Sequence, residues 1–474
     1  MNFYTDCDDY AAELLDVAKL FFTDVILVKD KDIADVRHER HVENNTAYNL
    51  CVYGNNEYSS RHVTGGRNKL EEKKINKRYA KLAVYNCLKQ AYGSRPWGAL
   101  TGIRPTRLAY DLEEKEGLDY KVAFRELFDV SPNKIRLVEE ILGMQKGYIT
   151  NDDNEIDIYV NIPFCTSKCV YCSFPSGLID KMRKYVPAYV ECLKKDIEAA
   201  LETVKESGRI LKCVYFGGGT PTSLSVKELS ELTRLFTDCG AAEFTVEAGR
   251  PDSLSEEMAE MLRADGVTRV SVNPQTFDAD TLLRINRRHT PEETVRAFYL
   301  AKSKGFTVNM DLIAGLPGES EESFIRSVKR CVELAPENIT VHTLALKRGS
   351  ELREKAASEG SDASVVGMVE NAREILHEAG YYAYYMYRQK YVRGNLENVG
   401  YTLPGSQCLY NIDMMEERRS VLACGANAIS KRIFASQNRI ERLADTKDVF
   451  LYIERIESSV NDKKKFFRAE KQFT

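Results

Sequence analysis

Cys165, Cys169 and Cys172 stand in the run from Tyr159 to Cys172 at the spacing C-x-x-x-C-x-x-C. Three thiolates are one short of the four that usually hold a cubane iron–sulfur cluster. The set therefore points to a cluster with one iron left open to a further ligand. Two plainer readings compete. Zinc would want a fourth Cys or His in a compatible loop, and Phe174, Pro175 and Ser176 follow instead. The cysteines could also be buried as small hydrophobes. The cluster is the favoured expectation.

Further polar residues recur downstream. Gly217-Gly218-Gly219-Thr220-Pro221 follows an apolar run. Three glycines let backbone amides approach a ligand and form an anion- or amine-binding concavity, although an ordinary turn would read the same way. Glu247 ends the third expected strand, Gln275 follows the fourth, Asp311 lies in the fifth, and Arg287 stands in the run Arg284-Ile285-Asn286-Arg287-Arg288. Singly, each reads as a solvated or capping residue. Together they could line one mouth, where a carboxylate holds hydroxyls or an ammonium and an arginine holds a carboxylate.

The elements that must position these groups alternate. Expected strands are Ile156–Ile162, Cys213–Phe216, Glu243–Glu247, Thr268–Asn273, Thr307–Ile313 and Asn338–Leu344. Several are near-continuous apolar runs, as in strands covered on both faces. Amphipathic runs Val186–Lys205, Val226–Asp238 and Glu292–Lys304 lie between them. This order predicts an α/β fold with a parallel sheet and right-handed crossovers, a partial (β/α)6 relative of the eight-stranded barrel. Such barrels carry chemistry at the strands' C-terminal ends. Residues 1–150 form an expected N-terminal α+β region, 151–350 the barrel core, and 351–474 a C-terminal α+β region completing the site. Two β-rich stretches, Asp24–Val28 and Ala47–Tyr53, mark the first region, and a helix near Ala363–Glu378 opens the third. The last fifteen residues read as a solvated helix or frayed tail.

A chain of 474 residues exceeds one ordinary core. Its net charge of −4 gives no general pull toward nucleic acid or anionic membrane. No apolar run approaches the roughly 20 residues of a spanning helix, and the acidic N-terminus lacks a signal peptide's basic region. The nine other cysteines show no pairing pattern. They read as reduced thiols, so a cytoplasmic location is expected.

The cysteine segment resembles radical S-adenosylmethionine (SAM) enzymes. In those, the open iron of a [4Fe-4S] cluster chelates the amino and carboxylate groups of SAM, which is then cleaved to a 5′-deoxyadenosyl radical. With Tyr159 to Phe174, Gly217 to Pro221, Glu247, Gln275, Arg287 and Asp311 to Pro317, the chain resembles the oxygen-independent coproporphyrinogen III oxidase family of radical SAM proteins. The resemblance extends to Gly425–Ser430. The segments Trp97 to Thr106 and Tyr387 to Tyr401 look like its HemZ-type branch. Two SAM molecules bind side by side in that family. The resemblance implies Tyr159, Gly218 and Glu247 at one SAM, with Tyr171, Gly219, Thr220, Gln275, Arg287, Asp311 and Ala345 at the other or between them. It implies Ile313 and Ile429 at adenine. Two positions depart from the best-known members: Phe174 replaces a fourth cysteine and Asn161 a histidine.

The implied activity is oxidative decarboxylation of coproporphyrinogen III to protoporphyrinogen IX, with an unidentified electron donor and acceptor. A haem chaperone is the competing class. Such proteins commonly carry a C-terminal His-Asn followed by Tyr-Trp, whereas this chain has Gly394-Asn395 and no tryptophan after Trp97. Radical-SAM haem breakdown by methyl transfer is a third reading. Arg104, Arg107 and Arg388 are candidate anchors for the substrate's propionates, since an arginine fork matches a carboxylate. His342, in the sixth expected strand, reads as a packed core histidine ahead of one facing the barrel interior.

Overall fold

The computed structural model describes residues 1–66, 69–102, 104–150, 154–345, 350–354, 362–389, 396–437 and 439–468. The chain forms two compact units, Met1–Glu139 and Glu140–Thr474. In the first, a five-stranded sheet runs in the order Ile26–Val28, Asn2–Thr5, Val36–Glu43, Thr46–Tyr53, Asn56–Val63. Helices Lys69–Tyr92 and Pro105–Glu116 follow, and Trp97 is fully buried. Pro105 opens its helix, where a missing N–H costs nothing, and Gly117 closes it in the left-handed conformation.

The second unit is built on six parallel strands: Glu155–Ile162, Ile210–Gly218, Glu243–Glu247, Arg269–Ser271, Thr307–Ala314 and Asn338–Thr343. Each pairs with the next, as the alternating pattern predicts. The helix Val186–Glu206 buries Val186, Tyr189, Val190, Leu193, Ile197, Ala200 and Val204, one apolar stripe at helical spacing. Ser225 with Glu228 and Thr290 with Glu293 form capping boxes that start two further crossover helices.

The region beyond residue 361 is part of this second unit and extends its sheet at both edges. Glu397–Thr402 pairs antiparallel with the sixth core strand, and Tyr382–Arg388 lies outside it. At the other edge Ser420–Cys424 lies parallel to the first core strand, followed by Ile429–Phe434 and Arg439–Ala444. The helix Leu409–Glu416 begins on Glu243, whose carboxylate accepts the Leu409 and Tyr410 amides at 3.2 and 3.3 Å. Arg269 holds Glu243 at 3.1 Å, both side chains being buried. Tyr410 thereby stacks on Tyr215 at 4.4 Å and on Tyr159 at 6.3 Å, forming an aromatic layer between the core strands and this helix.

Asp157 and Cys213, two residues before Tyr159 and Tyr215 on the same strands, and Asp413 of the helix bring their ligand atoms within 4.8 Å of one another, all buried. Lys212 Nζ, 2.7 Å from Asp413, and the nearby Arg419 already supply positive charge there. The expected tail is not frayed over the described residues. Helix Ile456–Arg468 buries Lys463 and Phe467 against the core.

Candidate active site

The segment carrying the three cysteines is tied to neighbouring loops by backbone hydrogen bonds. Gly219 N–H donates to Ile162 O at 2.8 Å and Thr220 N–H to Phe164 O at 2.7 Å. On the other side Val170 N–H donates to Ile285 O at 3.2 Å, and Asn286 Nδ2 to Lys168 O at 2.7 Å. Thr220 Oγ1 lies 3.6 Å from Cys165 Sγ. A Cβ on Gly219 would fall 2.4 Å from Phe164 O and 2.9 Å from Cys165 Sγ, so only glycine allows this approach. Gly218 has φ +109°, and its Cβ would meet Asn161 Oδ1 at 2.3 Å. Any side chain there collides with protein before it reaches open space.

All three thiols line one cavity of about 410 Å3. Among the described residues, Asp157, Cys213 and Asp413 are the set whose ligand atoms come within 4.8 Å of each other. The three loop thiols are not such a close-set group, and the cavity they share has room for a guest larger than a single ion. Gln275 Oε1, Asn273 Oδ1 and Arg250 Nη2, on residues lining the same cavity, are buried without a hydrogen-bond partner. Such atoms call for a polar guest.

Glu247 and Asp311 face this space in different electrostatic states. Tyr215 Oη donates to Glu247 Oε1 at 2.6 Å. Burial pushes the Glu247 carboxyl up to about 7, with Tyr215 pulling down and Asp311 adding to the rise. Burial alone would raise Asp311 as well, but His342, Asn309 and Thr340 outweigh it and hold the group below its usual value. Asn309 Nδ2 donates to Asp311 Oδ1 at 2.8 Å, and Tyr387 Oη lies 3.2 Å from His342 Nδ1. At neutral pH Asp311 is ionised while Glu247 sits near its midpoint.

A stability consequence follows for the ligand-free chain. The folded Glu247 carboxyl titrates above its ordinary value of 4.5. Its favourable contribution is complete below about pH 4.5 and is lost as pH rises through about 7. Glu247→Gln should flatten the decline in melting temperature of wild type between pH 5 and 8. Parallel melting curves for the two proteins would contradict this.

Gln275 joins the fifth strand through an isolated bridge to Leu312, donating its N–H to Asp311 O at 2.9 Å with φ +66°. Arg287 Nη1 donates to Gly249 O at 2.9 Å and Asn273 O at 3.2 Å. Of the residues singled out in the sequence, Cys165, Cys169, Cys172, Tyr171, Gly218, Gly219, Thr220, Glu247, Gln275, Arg287, Asp311, Ile313 and Ala345 line the cavity. Tyr159 does not, lying in the aromatic layer with its hydroxyl 3.1 Å from Asn161 Oδ1. Ile429 is also outside the lining and is 48% exposed at the start of its strand.

Phe174 is exposed at the cavity rim. Asn161 donates Nδ2 to Ala426 O at 2.6 Å, pinning the Gly425–Ala426 turn to the first core strand. Arg104 and Arg107 belong to the other unit, where Arg107 pairs with Asp111 at 3.2 Å. Arg388 is buried opposite Glu397 rather than among the lining residues, and burial draws its guanidinium down to about 10 with Glu397 pulling the other way. Gly394 and Asn395 lie outside the described residues. Sequence reasoning missed Arg250, Tyr215, Asn273, Tyr385 and Asn398, and it left His342 in the core although it lines the cavity.

Fold and site together define a radical SAM protein, and residues 159–331 match the Radical SAM superfamily. The chain is 39% identical over 400 residues to the oxygen-independent coproporphyrinogen-III oxidase-like protein HemZ of Bacillus subtilis (strain 168), covering 81% of this chain and 79% of that one. It belongs to that oxygen-independent coproporphyrinogen-III oxidase-like family. The haem chaperone HemW of Escherichia coli (strain K12) is 29% identical over 300 residues, covering 62% of this chain and 74% of that one. The solved structure of coproporphyrinogen III oxidase (HemN) from Escherichia coli, a radical SAM enzyme, shares the fold at TM-score 0.53 and 22% identity. That match covers 65% of this chain and 70% of that one. No helix among the described residues is long and apolar enough to cross a membrane.

Proposed function

We propose that this protein decarboxylates coproporphyrinogen III oxidatively to protoporphyrinogen IX in cytoplasmic, anaerobic haem biosynthesis. The observation that carries the reading is convergence: three thiols, two carboxylates and two buried arginines share one cavity. Cys165, Cys169 and Cys172 would hold a [4Fe-4S] cluster. With SAM bound, that group supplies hydrogen-atom abstraction from a propionate β-carbon. Gly218 and Gly219 keep backbone close to the site. Glu247 and Asp311 would offer acceptors to ammonium and ribose groups, Arg287 would offer a fork to a carboxylate, and Ile313 would give adenine an apolar surface. A second SAM would sit toward Tyr171, Thr220, Gln275 and Ala345.

Tyr385 and Tyr387, from the edge strand, also line the cavity. An apolar wall limits water at a site that must cleave an unactivated C–H bond. Each of the two reacting propionates loses one hydrogen atom, carbon dioxide and one electron to become a vinyl group. The electron donor and acceptor are partners this reading requires, and nucleic acid is not one. The HemW likeness supports a second reading, a protein that binds and delivers haem.

Asp311→Ala and Arg287→Lys separate assembly from binding. Both should keep wild-type iron content while SAM cleavage falls about tenfold or more, as loss of a hydrogen bond to a charged group implies. Unchanged cleavage in both variants would reduce these residues to caps and turns.

A further inference from the structure

Arg250 is 3% exposed, three residues beyond the end of the third core strand. Its backbone is fixed by the turn that follows, because its carbonyl accepts Ser253 N–H at 2.9 Å and Ser253 Oγ at 2.8 Å. The guanidinium is thereby delivered under the cysteine loop. Nη1 lies 3.4 Å from Ser167 O and 3.9 Å from Cys169 Sγ, and Nε lies 3.3 Å from Asp252 Oδ1. Nη2 is buried with no partner. An arginine stays charged, and a charge held away from water needs an anion beside it. Asp252 is only one such group, and its side chain is 28% exposed.

We infer that Arg250 sets the reduction potential of the cluster by donating to the Cys169 thiolate, an inference resting on the reading that the three cysteines hold one. Reduction adds negative charge to the cluster. A fixed positive charge and an N–H···S contact stabilise the reduced form, so both raise the potential. Arg250 is a positioning and tuning residue rather than a catalytic one. A purely structural clip on Ser167 O would leave the potential where it was.

The test reconstitutes wild type, R250Q and D252N anaerobically, counts iron and sulfide, and titrates the cluster with EPR detection. R250Q should shift the midpoint to more negative potential. D252N should shift it to more positive potential, because Arg250 loses its compensating carboxylate. Wild-type protein that assembles no cluster would refute the reading of the cysteines themselves. A full cluster with midpoints unmoved in both variants, or moved in one direction by both, would refute the role of Arg250 alone. Should R250Q fail to retain its cluster, D252N decides: a positive shift supports the inference and no shift overturns it.

Discussion

Alanine at Cys165, Cys169 or Cys172 is expected to abolish the visible absorption of the reconstituted protein and to remove nearly all bound iron. With three protein ligands already one below the usual number, loss of any one leaves two, which do not retain a cubane. The three thiols occupy different backbone settings: Cys165 in a two-residue strand, Cys169 and Cys172 linked by a 3.1 Å hydrogen bond from the Cys172 amide to the Cys169 carbonyl. No neighbouring cysteine among the cavity-lining residues can substitute for a missing one. Cys192→Ala is the control, since its Sγ lies against Ile453 O at 3.8 Å on a crossover helix. Iron and sulfide analysis checks the set. Equal loss in the Cys192 variant, or full retention in a loop variant, would contradict the assignment.

The largest stability effect is expected far from that loop. Lys463 Nζ lies 2.6 and 2.8 Å from the two oxygens of Asp196 and 2.7 Å from Asp445 Oδ2, with all three side chains at most 5% exposed. Asp196 Oδ2 also accepts Gly425 N–H at 3.0 Å and Tyr452 Oη at 2.7 Å. Lys463→Met would leave two carboxylates buried without their cation, costing about 3–5 kcal/mol. The expected fall in melting temperature is on the order of 10 °C. Lys464→Met, which breaks an exposed pair with Glu202, should leave the melting curve close to that of wild type, because water and salt screen such a pair. The damage should reach the site, because Gly425 leads into the turn held by Asn161. Comparable melting curves for the two variants would show that the buried network contributes little.

Much of the barrel was legible because its strands are continuous apolar runs flanked by periodic helices. The six core strands fall within a few residues of their expected positions, and the polar strand ends converge as their spacing implied. The N-terminal strands Val36–Glu43 and Asn56–Val63 were not legible. Each has one face in water, and their sequences are dominated by Arg, His, Glu and Ser, which masks the alternation. Ser420–Cys424 gave no hint of its partner, since its register with Glu155–Ile162 joins segments some 260 residues apart. Lys463 reads as one more surface charge until the fold places Asp196 opposite. Arg250 carries no motif either, and becomes part of the site only because the cysteine loop folds over it. Tyr159, implied at SAM by the resemblance, stacks with Tyr410 and with Tyr215, which lines the cavity.

Anaerobic incubation of the reconstituted, reduced protein with coproporphyrinogen III and SAM, followed by chromatography of the tetrapyrroles, tests the proposed decarboxylation. Protoporphyrinogen IX is expected, formed by loss of two carboxyl groups, with SAM consumed in proportion and no product from the Cys165→Ala protein. Intact coproporphyrinogen III beside a fully assembled cluster, with haem held stoichiometrically by the same protein, would contradict it and favour the chaperone.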